Sequence, residues 1–465
     1  MNFRKINKIF FVGIGGIGMS GIAELLFNLG FSISGSDLTK NDNVTRLQKL
    51  GIKIDIGHDH DNLKDADALV YSSAINMKNP EIIKAKEMHI PIIRRAEMLG
   101  ELINVKKTSI AIGGTHGKTT TSSMIGTMLS NAKMDPTLVV GGLVQNINTN
   151  SKLGSGDIIV VEADEFDRSF LALKPTIGII TNIELEHTDC YKDLNDLQDA
   201  FIQFGQSVPF YGEMIICIDS PPSRDILKKI ERPITTYGRS RDAAYRAENI
   251  RFHENTTTYS LFCAEDCLGD IKLNVPGEHN VLNSLAAVVL GLELGLSFNI
   301  IKKGIESYKG VRRRFDIKVN INDIIVVDDY AHHPTEIEAT LTAAKNGWDK
   351  RIIAILQPHL FSRTKDFFRE FAKSLQLADE VIITDIYPAR EQPIPGISSE
   401  LIYNEYINNI GNNCHLIPNL NNIQELLDKI VKPNDMIITL GAGSIWRFSE
   451  NYANHLKSIY AEVSE

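Results

Sequence analysis

The sequence predicts an α/β protein of three domains, with Rossmann-like doubly wound sheets at both ends and an ATPase-like central domain carrying a phosphate loop. Three observations lead to this prediction. The chain has 465 residues, which is too long for a single core. Short apolar runs alternate with helix-length segments, as they do in doubly wound sheets. Two of these runs end in glycine-rich turns of a phosphate-binding kind, at residues 13–18 and 113–117.

Domain boundaries are predicted where short polar linkers separate these patterns. One linker surrounds residues 104–107, and a basic run at 309–316 marks a second. We therefore expect three domains, at 1–105, 106–311 and 312–465.

The bulk composition excludes several classes of protein. With 43% hydrophobic and 23% charged residues, the chain has the composition of a globular protein. Its formal net charge of -9 argues against a general nucleic-acid or acidic-membrane binder. The longest apolar stretch, near 284–296, contains Glu293 and is predicted to be a core helix, so no membrane insertion is expected. Five scattered cysteines and a start too short for a signal peptide favour a cytoplasmic protein, either monomer or homodimer.

In the first domain, a glycine-rich turn lies between a predicted strand at 9–12 and a predicted helix that reaches about residue 29. A turn in this position can bind a diphosphate, and an acid that ends the next strand, here Asp37, commonly binds a ribose hydroxyl. The pattern alone is also that of a dinucleotide dehydrogenase. A structural alternative is that the glycines serve only close packing of helix on strand.

The central domain opens with a second turn, between a predicted strand at 110–112 and a helix from Thr119 to about residue 131. Its amides would surround phosphate groups, Lys118 would reach the outer phosphates, and the Thr119 hydroxyl would hold magnesium. The spacing is one residue shorter than the usual phosphate loop, because Ile112 stands where the first glycine is expected. An ordinary glycine turn before a helix is the alternative.

Acidic and imidazole side chains follow the next two buried strands of this domain. Glu162 ends a strand that starts at 157, and His187 follows a strand at 177–181. Each alone would be an ordinary solvated or turn residue. Since both lie at strand ends beside the phosphate loop, we predict that they hold magnesium, directly or through water.

The sequence of the phosphate loop resembles that of the Mur ligase family of peptidoglycan synthesis, whose members use ATP to join an amino acid to a nucleotide-linked sugar or peptide. The resemblance extends from about residue 9 to 446. It rests on these stretches: Gly114-Thr115-His116-Gly117-Lys118-Thr119-Thr120-Thr121, the turn 13–21, Ser72 to Ile75, Arg94 to Glu97, Gly277 to Asn283, Gly310 to Phe315 and Asp328 to Glu336.

The resemblance implies that the domain at 1–105 binds the UDP-sugar, that the domain at 106–311 binds ATP, and that the C-terminal domain at 312–465 serves amino-acid binding and closure. The ATP contacts would be Gly114, Thr115, His116, Gly117, Lys118, Thr119, Thr120, His279, Asn283 and Arg313. The UDP-sugar contacts would be Gly13, Gly15, Gly16, Ile17, Gly18, Asp37, Ser72, Ser73 and Arg94. The amino-acid site of the C-terminal domain would comprise Tyr330, His332, His333, Arg363 and Arg390. The catalytic residues would be Lys118, Glu162, His187 and Arg314, and the magnesium ligands Thr119, Glu162 and His187.

Four positions depart from the common family pattern. Phe166 stands where serine is common, Glu186 where aspartate is usual, Ala331 in place of glycine, and Leu360 in place of arginine. None of them is a proposed magnesium ligand.

The activity implied is ATP-dependent amide-bond formation between L-alanine and UDP-N-acetylmuramate through an acyl phosphate, with ATP and Mg²⁺ as cofactors. The nearest alternative is a related ligase that attaches a ready-made peptide to the same sugar nucleotide. Two others come from different classes, namely a nicotinamide-dependent oxidoreductase that uses the first glycine turn and a nucleotide-switched binding protein.

Overall fold

The computed structural model describes residues 5–72, 74–144, 149–186, 190–389 and 391–462. Contacts within the chain divide it into two compact units. The first comprises Met1–Glu248, Ser260–Ile271 and Leu282–Tyr308, and the second comprises Asn249–Tyr259, Lys272–Val281 and Lys309–Glu465. No helix among the described residues is both long and apolar enough to cross a membrane.

The N-terminal part of the first unit is a parallel sheet in the order β3-β2-β1-β4-β5. Its strands and helices are β1 (Lys8–Val12), α1 (Ile17–Asn28), β2 (Ser32–Asp37), α2 (Asp42–Lys49), β3 (Lys53–Ile56), β4 (Ala68–Tyr71), α3 (Pro80–Glu87), β5 (Ile92–Arg94) and α4 (Arg95–Ile103). The strand order reverses between β1 and β4, and doubly wound sheets bind ligands beyond the carboxyl ends of the strands at such a point. The first glycine turn follows β1 there.

The central sheet has the order β15-β14-β13-β12-β11-β10-β6-β9-β7-β8. Its elements, with the two helices that follow, are β6 (Thr108–Gly113), α5 (Lys118–Asn131), β7 (Thr137–Val144), β8 (Thr149–Lys152), β9 (Ile158–Glu162), β10 (Ile177–Ile180), α6 (Leu194–Ser207), β11 (Glu213–Cys217), α7 (Pro221–Ile226), β12 (Ile234–Gly238), β13 (Tyr245–His253), β14 (Thr256–Cys263), β15 (Asp266–Leu273), α8 (Glu278–Glu293) and α9 (Phe298–Glu306).

The strand before the phosphate loop lies inside this sheet. β6 pairs in parallel with β9 on one side and with β10 on the other. Its residues Ile110, Ala111 and Ile112 are fully buried, as their unbroken apolar run predicts for a strand covered on both faces. The carboxyl ends of the three strands therefore lie side by side, which places the residues following β9 and β10 next to the loop.

The C-terminal sheet has the order β16-β17-β21-β18-β19-β20, with β16 antiparallel and the remaining pairs parallel. Its elements are β16 (Asp316–Ile321), β17 (Ile324–Asp329), α10 (Pro334–Gly347), β18 (Arg351–Leu356), α11 (Phe361–Leu375), β19 (Glu380–Ile383), α12 (Glu400–Asn409), β20 (Cys414–Leu416), α13 (Ile423–Ile430), β21 (Asp435–Leu440) and α14 (Ile445–Glu462). Helices cover both faces: alternate residues of β17 belong to two different apolar clusters.

Two local features complete the description of these sheets. The segment 245–273 forms the consecutive strands β13, β14 and β15. β2 ends at Asp37, as predicted, because Gly35 and Ser36 keep pairing with β1. Glycine is needed at position 35, since a Cβ there would lie 2.4 Å from the Phe11 carbonyl oxygen.

Candidate active site

The phosphate loop between β6 and α5 needs glycine at two positions. Gly114 and Gly117 have φ angles of +129° and +83°, which side chains of L-residues rarely adopt. A Cβ on Gly114 would lie 2.1 Å from the Thr181 hydroxyl oxygen, and one on Gly117 would lie 2.3 Å from Asn283 Oδ1. These glycines therefore allow close approach of the segment after β10 and of helix α8.

Hydrogen bonds from the segment after β10 fix the shape of the loop. The Thr115 and His116 amides donate to the carbonyl oxygen and to Oδ1 of Asn182, at 3.1 and 2.9 Å. The Thr181 hydroxyl donates to the His116 carbonyl oxygen at 2.6 Å. The His116 ring lies 3.2 Å from a Glu184 carboxylate oxygen. The loop is thus preorganised by residues that lie about 65 positions away in sequence.

Lys118 is not a free cation in this structure. Its ammonium donates to both carboxylate oxygens of Glu165, at 2.7 and 3.0 Å, and to the carbonyl oxygens of Gly114 and Thr115. Glu165 is 1% exposed. Burial opposes the charged form of Lys118, but the carboxylates of Glu165 and Asp164 outweigh it and raise the pKa above its usual value. The lysine is charged and folded across its own loop.

Glu162, at the end of β9, faces the first turn of α5. Its carboxylate accepts hydrogen bonds from Thr119 Oγ1 at 3.1 Å, from Ser122 Oγ at 3.3 Å and from the Gly141 amide at 2.6 Å. Burial raises the pKa of Glu162, although these donors and Lys118 partly oppose the rise. A buried carboxylate beside a hydroxyl oxygen is a donor set that fits a hard divalent cation. His187, the third predicted ligand, lies outside the described residues.

Helix α8 carries two predicted ATP contacts, which belong to different compact units. Asn283 is buried in the first unit, and its Oδ1 accepts a hydrogen bond from the Thr121 hydroxyl at 3.2 Å. Thr120, another predicted ATP contact, is also buried. His279 belongs to the second unit. Burial and then the nearby Arg314 lower the pKa of His279 to about 4, so the ring is neutral at pH 7.

The first glycine turn is tied to the end of β2. The Gly13 amide donates to the Ser36 carbonyl oxygen at 2.9 Å, and the Gly15 amide donates to the Asp37 carboxylate at 2.8 Å. A Cβ on Gly15 would lie 2.8 Å from that carboxylate, whereas one on Gly16 would meet nothing closer than 3.5 Å. Asp37, predicted to bind a ribose, thus holds the turn itself. Gly16 and Ile17 form the exposed tip of the turn.

The neighbouring strand end carries the other predicted UDP-sugar contacts. Ser72 follows β4, and its Cβ lies 3.3 Å from the position of a Cβ on Gly13, so the two loops touch. Ser73 lies outside the described residues. Arg94 is exposed, and its Nε donates to the Tyr71 hydroxyl at 3.3 Å. The adjacent Arg95, which the sequence analysis did not select, lies against Gly18 of the turn.

In the second unit, the two predicted arginines of the basic run have different surroundings. Arg313 donates to the fully buried Asp328 at 3.3 Å and to the Gly441 carbonyl oxygen at 2.6 Å, so its contacts stabilise the C-terminal fold. Arg314 lies 3.6 Å from a Glu336 carboxylate oxygen and 5.1 Å from the centre of the Tyr330 ring. Arg314 is therefore the better placed of the two for contact with a ligand.

Three residues predicted for the amino-acid site, Tyr330, His332 and Arg363, form a cluster with two further aromatic rings, those of His359 and Tyr387. The Tyr330, His332 and His359 rings follow one another with centroids 5.2 and 5.5 Å apart, and Tyr387 stacks on His359 at 5.9 Å. The buried Arg363 lies 3.2 Å from His359 Nδ1. The sequence analysis did not select His359 or Tyr387.

Two further residues lie near this cluster, the predicted His333 and Leu360, whose amide donates to the Tyr387 carbonyl oxygen. The buried His333 packs on the Phe367 ring at 5.1 Å and precedes α10. Leu360, which replaces the common arginine, is buried with φ +73°, a strained conformation for a leucine. Arg390 lies outside the described residues.

Asp329 is a buried acid that the sequence analysis passed over. Its carboxylate accepts amide hydrogen bonds from Phe315 and Ala331, both at 2.7 Å. Burial raises the pKa of Asp329 to about 6, against the opposing charge of Arg314. It links the basic run to the loop after β17. Ala331 fits this loop without a positive φ angle, so glycine is not needed.

Three family models match successive parts of the chain. They are the Mur ligase family catalytic domain at residues 8–107, the Mur ligase middle domain at 112–291, and the Mur ligase glutamate ligase domain at 313–443. Together they span the two glycine turns and the C-terminal sheet.

Individual relatives match over nearly their whole length. A UDP-N-acetylmuramate--L-alanine ligase of Geotalea uraniireducens is 48% identical, covering 98% of this chain and 99% of the relative. The crystal structure of a UDP-N-acetylmuramate-alanine ligase from Thermotoga maritima superposes with a TM-score of 0.83 at 30% identity, covering 97% and 99%. A murein peptide ligase from Psychrobacter arcticus gives 0.70 at 25% identity, covering 96% and 98%. A MurF ligase from Thermotoga maritima, solved with ADP, shares the fold at 16% identity and a TM-score of 0.64, covering 92% and 95%.

Proposed function

The chain belongs to the Mur ligase family, and we propose that it is the ATP-dependent ligase that adds L-alanine to UDP-N-acetylmuramate in peptidoglycan synthesis. The observation that carries the proposal is that one compact unit holds two glycine turns, at Gly13–Gly18 and Gly113–Gly117, with a row of acids following β9. A ligase that consumes ATP and a nucleotide sugar needs two phosphate sites, whereas a dehydrogenase needs one. The 48% identity to an alanine ligase supports L-alanine as the amino acid.

The second turn would hold the triphosphate of ATP. The Thr115 and His116 amides are bonded to Asn182, so the positive end of the dipole comes from the N-terminus of α5, and the charged Lys118 adds an ammonium. The carboxylate oxygen of UDP-N-acetylmuramate attacks the γ-phosphorus of ATP, and the bond between this phosphorus and the bridging β-phosphate oxygen breaks. ADP departs and the sugar nucleotide becomes an acyl phosphate. Lys118 would offset the negative charge of this transfer once it exchanges Glu165 for phosphate oxygens.

We assign the magnesium site to Thr119, Glu162 and His187. The Thr119 hydroxyl and the Glu162 carboxylate are in mutual contact, and burial makes a lone charge on Glu162 unfavourable. A magnesium ion bound there would supply positive charge to the phosphate oxygens. Thr119 and Glu162 hold their donor oxygens at the first turn of α5.

The first turn would bind the diphosphate of the sugar nucleotide. Gly15 and Asp37 keep the turn rigid, and the exposed Gly16 and Ile17 leave its tip open to a ligand. Ser72 from the adjoining strand end would contact the same substrate. We propose the boundary between this domain and the ATP domain near residue 105.

The amino-acid site is assigned to the C-terminal domain, from about residue 312. The buried guanidinium of Arg363 suits a carboxylate. His359 contacts this guanidinium, and the His332 and Tyr330 rings follow His359 in the cluster. The free amine of L-alanine attacks the acyl carbon, and the tetrahedral intermediate expels phosphate and loses a proton to form the amide. Arg314 is proposed to stabilise the charge of this intermediate.

The oligomeric state is proposed to be a monomer or homodimer, working in the cytoplasm where ATP and nucleotide sugars are made. Catalysis can be tested by incubating the chain with ATP, Mg²⁺ and UDP-N-acetylmuramate plus either L-alanine or a ready-made peptide, the tripeptide L-alanyl-γ-D-glutamyl-meso-diaminopimelate, and detecting products by mass spectrometry. The alanyl product alone is expected. Ligation of the tripeptide instead would favour the peptide-attaching alternative, and reduction of NAD without ligation would favour the oxidoreductase.

A further inference from the structure

The guanidinium of Arg95 lies against the start of α1. A Cβ on Gly18, the second residue of that helix, would be 2.9 Å from Arg95 Nη1 and 3.4 Å from Cδ. The first turn of α1 has no acidic residue, and no side chain caps it. The guanidinium therefore adds a full positive charge at the glycine turn that we assign to the diphosphate of the sugar nucleotide.

The same guanidinium reaches the acid row of the central domain. Arg95 Nη2 lies 3.6 Å from Asp164 Oδ2, and the two side chains are 20% and 42% exposed. Asp164 lies between Glu162 and Glu165, and its charge acts on Lys118. Arg95 thus lies between the two proposed nucleotide sites.

Other basic groups near the first turn are differently placed. The stretch Gly13 to Gly21 contains no lysine or arginine. Arg94 is exposed and bonds to the Tyr71 hydroxyl. A bound diphosphate carries negative charge that a chain of net charge -9 must meet locally. Arg95 is held at the turn by a weak, partly exposed ion pair, so it can change partner at low cost.

We propose that Arg95 is a positioning residue that binds the diphosphate of the sugar nucleotide, and that Asp164 competes with the diphosphate for it. This inference rests on the proposed function. In the free protein Asp164 holds the guanidinium beside Gly18, and substrate binding transfers the guanidinium from carboxylate to phosphate. Arg95 then fixes the sugar nucleotide relative to the acid row, where its carboxylate must meet ATP.

The test is calorimetric binding of UDP-N-acetylmuramate, and of UDP alone, to the full chain without ATP. Arg95→Gln should weaken both ligands about 10- to 100-fold, the loss expected for hydrogen bonds to a charged group. Arg95→Lys should recover part of the loss, because a lysine keeps the charge but lacks the planar fork. Lys84→Gln, which removes a partly exposed cation of the same domain, should bind like the parent.

Asp164→Asn distinguishes ligand binding by Arg95 from a merely structural role, because a structural role would leave the ligand affinities of this variant unchanged. It removes the competitor, so both ligands should bind about two- to fivefold more tightly, the scale of an exposed ion pair. This gain should disappear when Arg95→Gln is also present. Parent-like binding by Arg95→Gln, or weaker binding by Asp164→Asn, would overturn the inference while leaving the proposed function standing. Failure of the parent chain to bind UDP-N-acetylmuramate would overturn both.

Discussion

Replacing Lys118 by alanine should affect folding and catalysis separately, because the lysine neutralises a buried carboxylate. Glu165 is 1% exposed and lies 2.7 Å from the ammonium, whose side chain is 16% exposed. Removing one partner of a buried ion pair costs about 3–5 kcal/mol, since the other charge remains unpaired. Lys118→Ala should therefore lower the free energy of unfolding by about 3 kcal/mol, measured by urea denaturation, and lower turnover by about 10² to 10³.

A second substitution separates the two effects. Lys118→Ala with Glu165→Gln removes the unpaired charge, so most of the lost stability should return while turnover remains low. The pKa of Lys118 is raised, so its ion pair is fully present below the ordinary lysine value of about 10.4 and is lost only as pH rises above it. The ion pair of the parent should consequently stay intact from pH 7 to 9. A folded Lys118→Ala with parental stability, or a double variant with parental turnover, would refute this account.

Three further outcomes are expected. Glu162→Gln, like His187→Ala, should raise the magnesium concentration for half-maximal activity about tenfold, and an unchanged requirement in both would place the metal elsewhere. An alanine at position 16 fits within the protein, so Gly16→Ala should disturb only a ligand bound at the turn. The KM for UDP-N-acetylmuramate should rise while the KM for ATP stays unchanged, and equal changes in both would contradict the assignment of the turn. The pKa of His279 is lowered to about 4, so the unfolded chain binds its proton first as pH falls below about 6.5. This group should cost the parent about 2 kcal/mol of stability between pH 7 and 4.5, so by calorimetry the free energy of unfolding of His279→Gln should fall by about 2 kcal/mol less than that of the parent over this range.

The sequence was sufficient for features with a local signal. An apolar run such as Ile110 to Ile112 can only be buried, and a glycine turn followed by Lys118 and Thr119 begins a helix because positive φ angles are needed before it. Strand ends could also be predicted, since polar residues follow buried runs there. These signals located both glycine turns.

Contacts between distant segments could not be read in the same way. Lys118 and Glu165 are 47 residues apart, and nothing in the local pattern pairs them. Arg94 and Arg95 are the same residue type in adjacent positions, but one ends β5 and the other starts α4, so they point to different partners. The contacts of Arg313 with Asp328 likewise depend on how the C-terminal sheet folds.

The most direct test of the ligase account follows an oxygen atom. UDP-N-acetylmuramate labelled with heavy oxygen in its carboxylate is supplied with ATP, Mg²⁺ and L-alanine, and the phosphate released is examined by mass spectrometry. If the carboxylate attacks the γ-phosphorus, one labelled oxygen should appear in each phosphate, and alanyl product should form in equal amount. Release of unlabelled phosphate, or labelled phosphate formed at the same rate without any amino acid, would contradict the account.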